Sequence, residues 1–369
     1  MKICYFADAN TLHAQRWVKH FTERGHEVHL ISVKNAEITG VNFYYISPLI
    51  KIPYFSYLGS LPFKIRTIKQ LIKEINPDIV HGHYLLEHGF YAAASGFKPL
   101  VVSAWGSDVL VSPKKSIINR LTLKYVLKKA DIVLGESEKI KNEILKYHTT
   151  KKIMVIPWGC NTKDFNPTIK SDEIKGSLSI NNSLIIISTR HFSPVYNVDT
   201  LIKAIPIVTK EISDAKFILK NFKGGISFKS KMEDLAKNLN VYHHIMFVDE
   251  VEYNELPKYL NTADIYVSTS LSDSCSVSML EAMACGLPVV VSDEPSNLEW
   301  IKDGWNGYIF PRKDHEALAE KLIILLKDKE KRELFGKRNR EIIEERGDWD
   351  KNMEKVEQLY ENLINKYQK

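Results

Sequence analysis

The sequence lacks the features that mark several protein classes. No segment approaches the roughly 20 apolar residues of a membrane-spanning helix, and the first residues enter a strand-like pattern with no signal peptide before it. Cysteine is scarce, with four scattered residues and no Cys-x-x-Cys pair, which predicts reduced thiols in a cytoplasmic protein. The sequence also contains no Gly-x-x-x-x-Gly-Lys phosphate loop, no short-period repeat and no nucleophile–His–acid series.

Charge is distributed unevenly along the chain. Residues 1–170 contain 24 Lys and Arg against 13 Asp and Glu, a net charge of +11, whereas the remaining residues carry −5. A basic first half predicts an anionic partner for that half alone. Residues 51–75 mix aromatic side chains with basic ones such as Lys64 and Arg66. This pattern suits an anionic membrane surface, and a packed helix with a solvated basic face explains it equally well.

Short apolar segments alternate with helical patterns throughout the chain. Examples are residues 2–7, 28–32 and 100–103 in the first half, and 184–189, 216–220 and 265–268 in the second. Such alternation favours parallel, doubly wound sheets, and 369 residues favour two domains. We therefore expect an α/β protein with Rossmann-like domains at residues 1–165 and 166–350. A final helix at about 351–369 is predicted to begin after an Asp348 cap.

The segment from Ser272 to Asp293 is the most informative part of the sequence. It is predicted to form a loop, a short helix and a buried strand, with Asp273 and Glu281 eight positions apart across the loop-to-helix junction. Such junctions present N–H groups and partial positive charge to anionic ligands. The two carboxylates therefore suit hydroxyl groups beside an anion, as in a sugar or a ribose. An alternative is that Ser278 and Glu281 form a capping box that only completes the helix.

This segment resembles the signature of the family-four retaining glycosyltransferases of the GT-B fold. In that family an acidic residue is followed, after seven others, by Glu-Ala-Met-Ala-x-Gly-x-Pro-Val. Glu281 to Val289 match the second part at every specified position, and the first acid, usually Glu, is Asp273. The resemblance implies two domains that face a central cleft, with the final helix packed on the first domain. It also implies that Glu281 binds the nucleotide ribose and Asp273 the donor sugar.

Arg190 follows the predicted strand 184–189 and precedes a helical pattern. Its planar guanidinium suits a diphosphate, and the alternative is a surface salt bridge. The position resembles the family's Gly-Arg-x-x-x-x-Lys-Gly motif, but Val195 or Tyr196 stands where the Lys is expected, which leaves Lys220 or Lys223 as candidate replacements. The resemblance implies a donor site that extends to the nucleotide base and contains Arg190, Val248, Asp273, Ser274, Cys275, Ser276 and Glu281.

The first domain carries the acceptor-binding and catalytic candidates. The run that ends in His81 and His83 resembles the family's Asp-Ile-Val-His-x-His stretch on the acceptor side; a metal site is the alternative, but no third ligand is evident. Many members have a His beside the anomeric carbon where this chain has Trp105. Either His83 or Asp108 takes over, or Trp105 only shapes the pocket. His13, which opens the first long helix, resembles a residue that faces the donor phosphate or the acceptor.

These features predict a retaining enzyme that moves a hexose-type sugar from a UDP- or GDP-linked donor to a glycan or lipid-linked acceptor in polysaccharide or glycolipid synthesis. We expect no cofactor, metal or nucleic acid. One alternative is a catalytically weak nucleotide-sugar-binding partner subunit, which the departures at Trp105, Asp273 and the missing Lys favour. Another is a sugar-nucleotide epimerase, which shares the architecture. The predicted location is the cytoplasm, and contact with the inner face of a membrane is left open.

Overall fold

The computed structural model describes residues 1–36, 38–46, 55–149, 152–180, 183–221 and 226–369. The chain divides into two compact units. Unit 1 comprises Met1–Ile156 and Glu354–Lys369, and unit 2 comprises Pro157–Met353. Residues 47–54, which include the first four residues of the predicted basic and aromatic segment, lie outside the described residues, as does Lys223.

Unit 1 alternates strands and helices, as the apolar pattern predicts. Its elements up to residue 156 are β1 (Lys2–Phe6), α1 (Leu12–Glu23), β2 (Glu27–Ser32), β3 (Asn42–Tyr45), α2 (Phe55–Ile75), β4 (Ile79–His83), α3 (His88–Ser95), β5 (Leu100–Ser103), α4 (Ser107–Leu110), α5 (Ser112–Lys115), α6 (Ile117–Lys129), β6 (Ile132–Gly135), α7 (Glu138–Leu145) and β7 (Ile153–Val155).

The seven strands of unit 1 form one parallel sheet in the order β3-β2-β1-β4-β5-β6-β7. The order reverses between β1 and β4, which is where a doubly wound sheet opens a crevice at the carboxyl ends of its strands. Helix α3 packs very closely on β4. A Cβ built on Gly82 would lie 2.8 Å from both Cβ of Ala92 and Cα of Gly89, so this crossing requires glycine.

Unit 2 continues the alternation. Its elements are α8 (Asp172–Ser177), β8 (Ile185–Ser188), α9 (Val198–Glu211), β9 (Lys216–Lys220), α10 (Ile226–Asn238), a 3₁₀ turn (Tyr242–His244), β10 (Ile245–Val248), α11 (Leu256–Leu260), β11 (Ile265–Ser268), α12 (Val277–Ala284), β12 (Val289–Ser292), α13 (Pro295–Leu298), β13 (Gly307–Phe310), α14 (His315–Lys327), α15 (Lys329–Ile342), a π-helical turn (Ile343–Gly347) and the start of α16 (Trp349–Gln368).

The six strands of unit 2 form a parallel sheet in the order β10-β9-β8-β11-β12-β13. This is the strand order of a Rossmann fold, and the reversal falls between β8 and β11. Central strands such as β8 and β12 are buried along their whole length, which explains their continuous apolar sequences. The predicted fold, two Rossmann-like parallel-sheet domains, is therefore confirmed.

Helix α16 belongs mostly to unit 1. Asp348 caps its N-terminus as predicted, accepting the N–H of Lys351 at 3.0 Å. Further along the helix, Glu357 forms an ion pair with Arg24 at 2.7 Å and Tyr367 donates to Asp131 at 2.7 Å. Residues 354–369 thus supply side chains that complete unit 1.

The described residues can be searched for a membrane-spanning helix and for a metal site. No helix among them is long and apolar enough to cross a bilayer. In the same part of the chain, no group of three or more His, Cys, Asp or Glu side chains is arranged to hold a metal ion.

Candidate active site

The strand reversal in unit 2 brings together segments far apart in sequence. Arg190 lies just beyond β8, and the loop of residues 269–276 connects β11 to α12. Because parallel strands end at the same edge of the sheet, the loop and the arginine meet at the crevice where doubly wound sheets bind ligands. Most of the predicted donor residues lie in these two segments.

Arg190 is the centre of this cluster and is buried, with 7% of its surface exposed. Its Nη2 pairs with Asp273 at 2.5 Å. Its Nη1 donates to the hydroxyls of Ser276 at 3.1 Å and Ser278 at 2.9 Å. The guanidinium carbon also lies 3.9 Å from the ring centroid of Tyr196. A salt bridge was the alternative to a ligand site for Arg190; the pair exists, but it is buried rather than on the surface.

Tyr196 is, with Val195, one of the two residues at the place where the family motif has its lysine. Its ring stacks on the arginine, which holds the guanidinium plane in place. Lys220, a candidate replacement for the lysine, ends the neighbouring strand β9 and is only 2% exposed. Burial lowers the pKa of Lys220, whereas the charge of Glu281 raises it. Arg190 and Lys220 thus place two buried cationic side chains at the ends of adjacent strands.

Asp273 has both carboxylate oxygens engaged. One pairs with Arg190, and the other accepts the backbone N–H of Ser274 at 2.9 Å. A sugar contact at Asp273 stays a prediction, and the structure adds that Asp273 orients Arg190.

Glu281 lies on α12 and is 4% exposed. The capping-box alternative is wrong, because α12 begins at Val277 with Ser276 as its N-cap. Ser278 is therefore inside the helix, where its hydroxyl meets Arg190 and Tyr266 instead. The carboxylate of Glu281 accepts the hydroxyl of Tyr253 at 2.8 Å. Glu281 consequently points toward side chains from other segments and does not serve its own helix end.

The remaining donor candidates lie around this cluster. Cys275 is buried, and Ser274 is half-buried in the loop before α12. Val248 ends β10, and its carbonyl accepts the N–H of Asn221 at 2.8 Å. These residues frame the cluster, and their contacts with a donor stay predictions.

In unit 1, His83 ends β4 beside the strand reversal and is 1% exposed. Its ring lies edge-on to Trp17 and Trp105, with centroids 4.9 Å and 5.6 Å away. Neither ring nitrogen has a hydrogen-bond partner among the described residues. Burial lowers the pKa of His83 to about 3, so the imidazole is neutral and carries a free donor and a free acceptor.

His13 and Trp105 complete the same aromatic group. Their rings meet edge-on with centroids 5.8 Å apart, and His13 lies in the first turn of α1. Burial lowers the pKa of His13 to about 4, and the charge of Arg16 lowers it further. Trp105 is thus positioned between two neutral imidazoles, where it can shape a pocket but cannot exchange a proton.

The structure argues against a catalytic role for Asp108. The side chain is fully buried and accepts backbone N–H groups from Leu85 at 2.8 Å, Gly106 at 2.9 Å and Trp105 at 3.1 Å. Burial raises the pKa of Asp108 to about 6, although these donors lower it. Asp108 holds the loop that carries Trp105, so we assign it to positioning.

His81 is also unavailable to an acceptor. It is fully buried, with Nδ1 hydrogen-bonded to the hydroxyl of Tyr360 at 2.5 Å and Nε2 to that of Ser103 at 2.7 Å. Residues two apart on a strand point to the same face of the sheet, and the rings of His81 and His83 accordingly lie 4.3 Å apart. We therefore assign His81 to the support of His83 and not to acceptor binding.

Comparison with known proteins decides the family. Residues 170–342 match the family described as glycosyl transferases group 1, and residues 2–137 match that described as glycosyl transferase 4-like. The chain belongs to the GT4-type glycosyltransferases of the GT-B fold. It is 25% identical over 362 residues to the N-acetyl-α-D-glucosaminyl L-malate synthase of Bacillus anthracis, covering 94% of this chain and 92% of that one.

Other relatives of this glycosyltransferase differ in chemistry. A sulfoquinovosyl transferase of Arabidopsis thaliana is 26% identical, with coverage of 91% of this chain and 67% of that one. Among solved structures, Anabaena HepE in complex with UDP superposes with a TM-score of 0.83 at 17% identity, covering 98% and 100% of the two chains. A sucrose-phosphate synthase from Thermosynechococcus elongatus gives 0.81 at 19% identity, covering 98% and 99%. These structural similarities confirm the GT-B fold.

Sequence reasoning missed three residues of this glycosyltransferase. Tyr253 reaches Glu281 from the segment after β10, a contact that no local pattern signals. Ser278 was read as a cap and instead bonds Arg190. His88 opens α3 with 3% exposure, and its Nε2 has no hydrogen-bond partner among the described residues. Its position only five residues after His83 was a weak signal that it belongs to the same region.

Proposed function

We propose that the enzyme transfers a hexose-type sugar, with retention at the anomeric carbon, from a nucleotide-sugar donor to a glycan or lipid-linked acceptor. The observation that carries the proposal is the buried guanidinium of Arg190, fixed at the strand reversal by Asp273, Ser276 and Ser278. A buried, oriented arginine beside a helix N-terminus suits a diphosphate. The two family matches support the transferase reaction.

The donor would be held by unit 2. Arg190, helped by Lys220, would bind the diphosphate, and Glu281 would accept hydrogen bonds from the ribose hydroxyls. The loop from Asp273 to Ser276 would face the sugar, and Val248 the base. The complexes of Anabaena HepE with UDP and with UDP-glucose support a nucleotide-sugar donor. UDP is therefore the first nucleotide to test.

The chemistry requires stabilisation of charge on the leaving diphosphate. The bond between the anomeric carbon and the phosphate oxygen breaks with its electrons going to the diphosphate, and a bond to an acceptor hydroxyl oxygen forms. Preorganised donors aimed at such charge contribute about 3 to 4 kcal/mol each. Arg190 meets this requirement because its orientation is fixed by four side chains before any ligand binds.

The acceptor would be bound by unit 1 through His83, with His13 and Trp105 lining the pocket. Because burial keeps the pKa of His83 at about 3, His83 is too weak a base to remove the proton of a hydroxyl at neutral pH. We propose that it binds the acceptor hydroxyl as a neutral imidazole. The proton then passes to an oxygen of the departing diphosphate, the strongest base in the reaction.

Two relatives are named for lipids, which supports a lipid-linked acceptor. They are an α-monoglucosyldiacylglycerol synthase of Streptococcus pneumoniae and a phosphatidyl-myo-inositol mannosyltransferase of Mycobacterium leprae. The basic first half of the sequence agrees with an acceptor that lies near anionic headgroups.

A thermal-shift screen with UDP, GDP, ADP and their sugars tests the donor. A ligand that binds only the native state raises stability by mass action, about 2.7 kcal/mol at a hundred times Kd. We expect one nucleotide series to raise the midpoint, and Glu281→Gln to remove about half of that rise or more. No shift with any nucleotide, or an unchanged shift in Glu281→Gln, contradicts the donor site.

The same purified protein separates the alternatives. Transfer or slow hydrolysis of the bound donor supports the enzyme. Binding without either reaction supports a partner subunit, which the missing lysine at Val195 or Tyr196 favours. Isomerisation of the donor sugar without an acceptor supports an epimerase.

A further inference from the structure

The segment of residues 111–129 in unit 1 has an unusual solvent face. Eleven of its side chains are exposed, and every one is either apolar or basic. The apolar ones are Val111, Ile117, Ile118, Leu121 and Tyr125, and the basic ones are Lys114, Lys115, Arg120, Lys124, Lys128 and Lys129. We call this set the α6 face. No Asp or Glu occurs anywhere in the segment.

Four of the five apolar members of the α6 face form one stripe on helix α6. Ile117, Ile118, Leu121 and Tyr125 fall within about 100° of arc at 3.6 residues per turn. Ile117 is 64% exposed, Ile118 68% and Leu121 60%. The other side of the helix, with Leu123, Val126 and Leu127, packs into the core of unit 1. Core packing therefore explains the apolar residues on one side of α6 but not those of the exposed stripe. Large exposed apolar clusters commonly mark contact surfaces.

The basic members flank this stripe. Arg120 and Lys124 run along one edge of it, and Lys128 and Lys129 lie at its C-terminal end, where Lys129 is 6.0 Å from the ring centroid of Tyr125. Lys114 is partly neutralised by an ion pair with Glu143 at 2.8 Å. The α6 face therefore combines an apolar centre with a cationic border.

Helix α2 offers a weaker candidate. Its exposed side chains between Leu61 and Ile75 are mainly polar, and Phe63, at 63%, is the only large apolar side chain among them that is exposed. Lys64 is buried. Within its described side chains, α2 fits a packed helix with a solvated basic face, which was the alternative raised for residues 51–75.

We propose that the α6 face docks unit 1 onto an anionic lipid bilayer. The apolar stripe matches the boundary between headgroups and acyl chains, while the basic border matches anionic phosphates, and long basic side chains can reach outward to both. Because the segment contains basic residues and no acidic ones, its charge is complementary to an anionic surface. A second copy of this chain would present an equally basic segment and would be repelled. The inference extends the proposed function, because a lipid-linked acceptor would be presented at that surface.

Vesicle co-sedimentation tests the proposal with the full chain. At low salt we expect binding to vesicles that contain phosphatidylglycerol and little binding to pure phosphatidylcholine. Arg120→Gln/Lys124→Gln should weaken binding about thirtyfold, since each basic residue near an anionic leaflet contributes about 1 kcal/mol and 1.4 kcal/mol is tenfold. Ile118→Ser/Leu121→Ser should weaken it at least tenfold. Raising the salt should weaken it in the native chain.

Matched controls lie in unit 2. Leu298→Ser/Leu334→Ser removes two exposed leucines, and Lys210→Gln/Lys329→Gln makes the same net charge change as the Arg120 and Lys124 variant; both should change binding less than twofold. Phe63→Ser, on α2, should also bind normally.

A site-specific reporter gives a second measurement that does not depend on removing contacts. The four native cysteines are buried, so an environment-sensitive dye can be attached selectively to Ile118→Cys. Anionic vesicles should shift its emission to the blue and leave a dye at Leu298→Cys unchanged. Equal binding by the native chain and the Ile118→Ser/Leu121→Ser variant overturns the proposal. The proposal is also overturned if the native chain does not bind vesicles but forms a dimer in light scattering, and the Ile118→Ser/Leu121→Ser variant does not form that dimer. The nucleotide thermal shift should be the same in all these variants, so failure of the docking surface and failure of the donor site are distinguishable.

Discussion

Replacing Arg190 should lower both turnover and stability, and the two effects can be separated. The Arg190 and Asp273 side chains are 8% and 12% exposed. Removing one partner of a buried pair costs about 3 to 5 kcal/mol, which this partial exposure reduces to about 2 or 3. For a unit of this size the unfolding midpoint should fall by about 4 to 12 °C. Loss of the preorganised donor should lower kcat about a hundredfold to a thousandfold in Arg190→Ala.

The double variant Arg190→Ala/Asp273→Asn distinguishes the two causes. It removes both charges, so no carboxylate remains buried without its counterion, and at least half of the lost midpoint should return. Turnover should stay at about 1% or less, because the diphosphate still lacks its donor. Initial rates of nucleoside diphosphate release, measured well below the lowest midpoint, report kcat independently of folding.

An exposed ion pair on α9 provides the matched control. Lys203 and Asp199 lie 3.0 Å apart with 44% and 37% of their side chains exposed. Exposed pairs of this kind contribute about 0.3 to 0.5 kcal/mol, so Lys203→Ala/Asp199→Asn should leave the midpoint and kcat nearly unchanged. A double Arg190 variant that recovers turnover to within threefold of the native enzyme refutes the reasoning, since Arg190 would then only neutralise Asp273.

Three further predictions follow from named contacts. Glu281→Gln should weaken nucleotide binding about tenfold or more by calorimetry, because charge-assisted hydrogen bonds contribute about 1.5 to 3 kcal/mol, whereas Tyr253→Phe should weaken it less; equal affinities in all three proteins contradict a ribose contact. His83→Gln should flatten the pH dependence of urea unfolding below pH 6.5. Burial lowers the pKa of His83 to about 3, so unfolding takes up a proton and stability falls as the pH falls, by up to about 1.4 kcal/mol per pH unit; an unchanged slope counts against the assignment. Gly82→Ala should destabilise the protein by about 1 to 3 kcal/mol in urea, since its Cβ would lie 2.8 Å from that of Ala92, and a neutral result would show that α3 can shift.

Regular structure was predictable where the sequence is locally consistent. The strands Leu100–Ser103, Lys216–Lys220 and Ile265–Ser268 were predicted with the bounds that the structure gives them, because strands buried on both faces are continuous apolar runs. The edge strands β3 and β13 were not predicted. No residue of β3 is fully buried, and β13 is fully buried only at its two ends, so burial does not require a long apolar run in either strand.

The site was predictable in outline but not in its contacts. Arg190 and Asp273 come together because they follow the ends of adjacent strands. Periodicity cannot show what a buried polar side chain bonds to. Asp108 was predicted as a catalytic residue, but its carboxylate accepts hydrogen bonds from three backbone N–H groups. His81 was predicted to bind the acceptor, but its ring is hydrogen-bonded to Tyr360, which is almost 280 residues away in sequence.

The contribution of α16 to unit 1 also affects the order of folding during synthesis. Unit 2 is one uninterrupted stretch, so it can close its sheet as it leaves the ribosome. Unit 1 must wait for residues 354–369, which are translated after all of unit 2. Until Tyr360 arrives, His81 lacks a hydrogen-bond partner on one nitrogen inside the core, and Arg24 lacks Glu357. The half that begins first is therefore expected to finish last, and a released chain truncated after residue 353 should show protease resistance in unit 2 but not in unit 1.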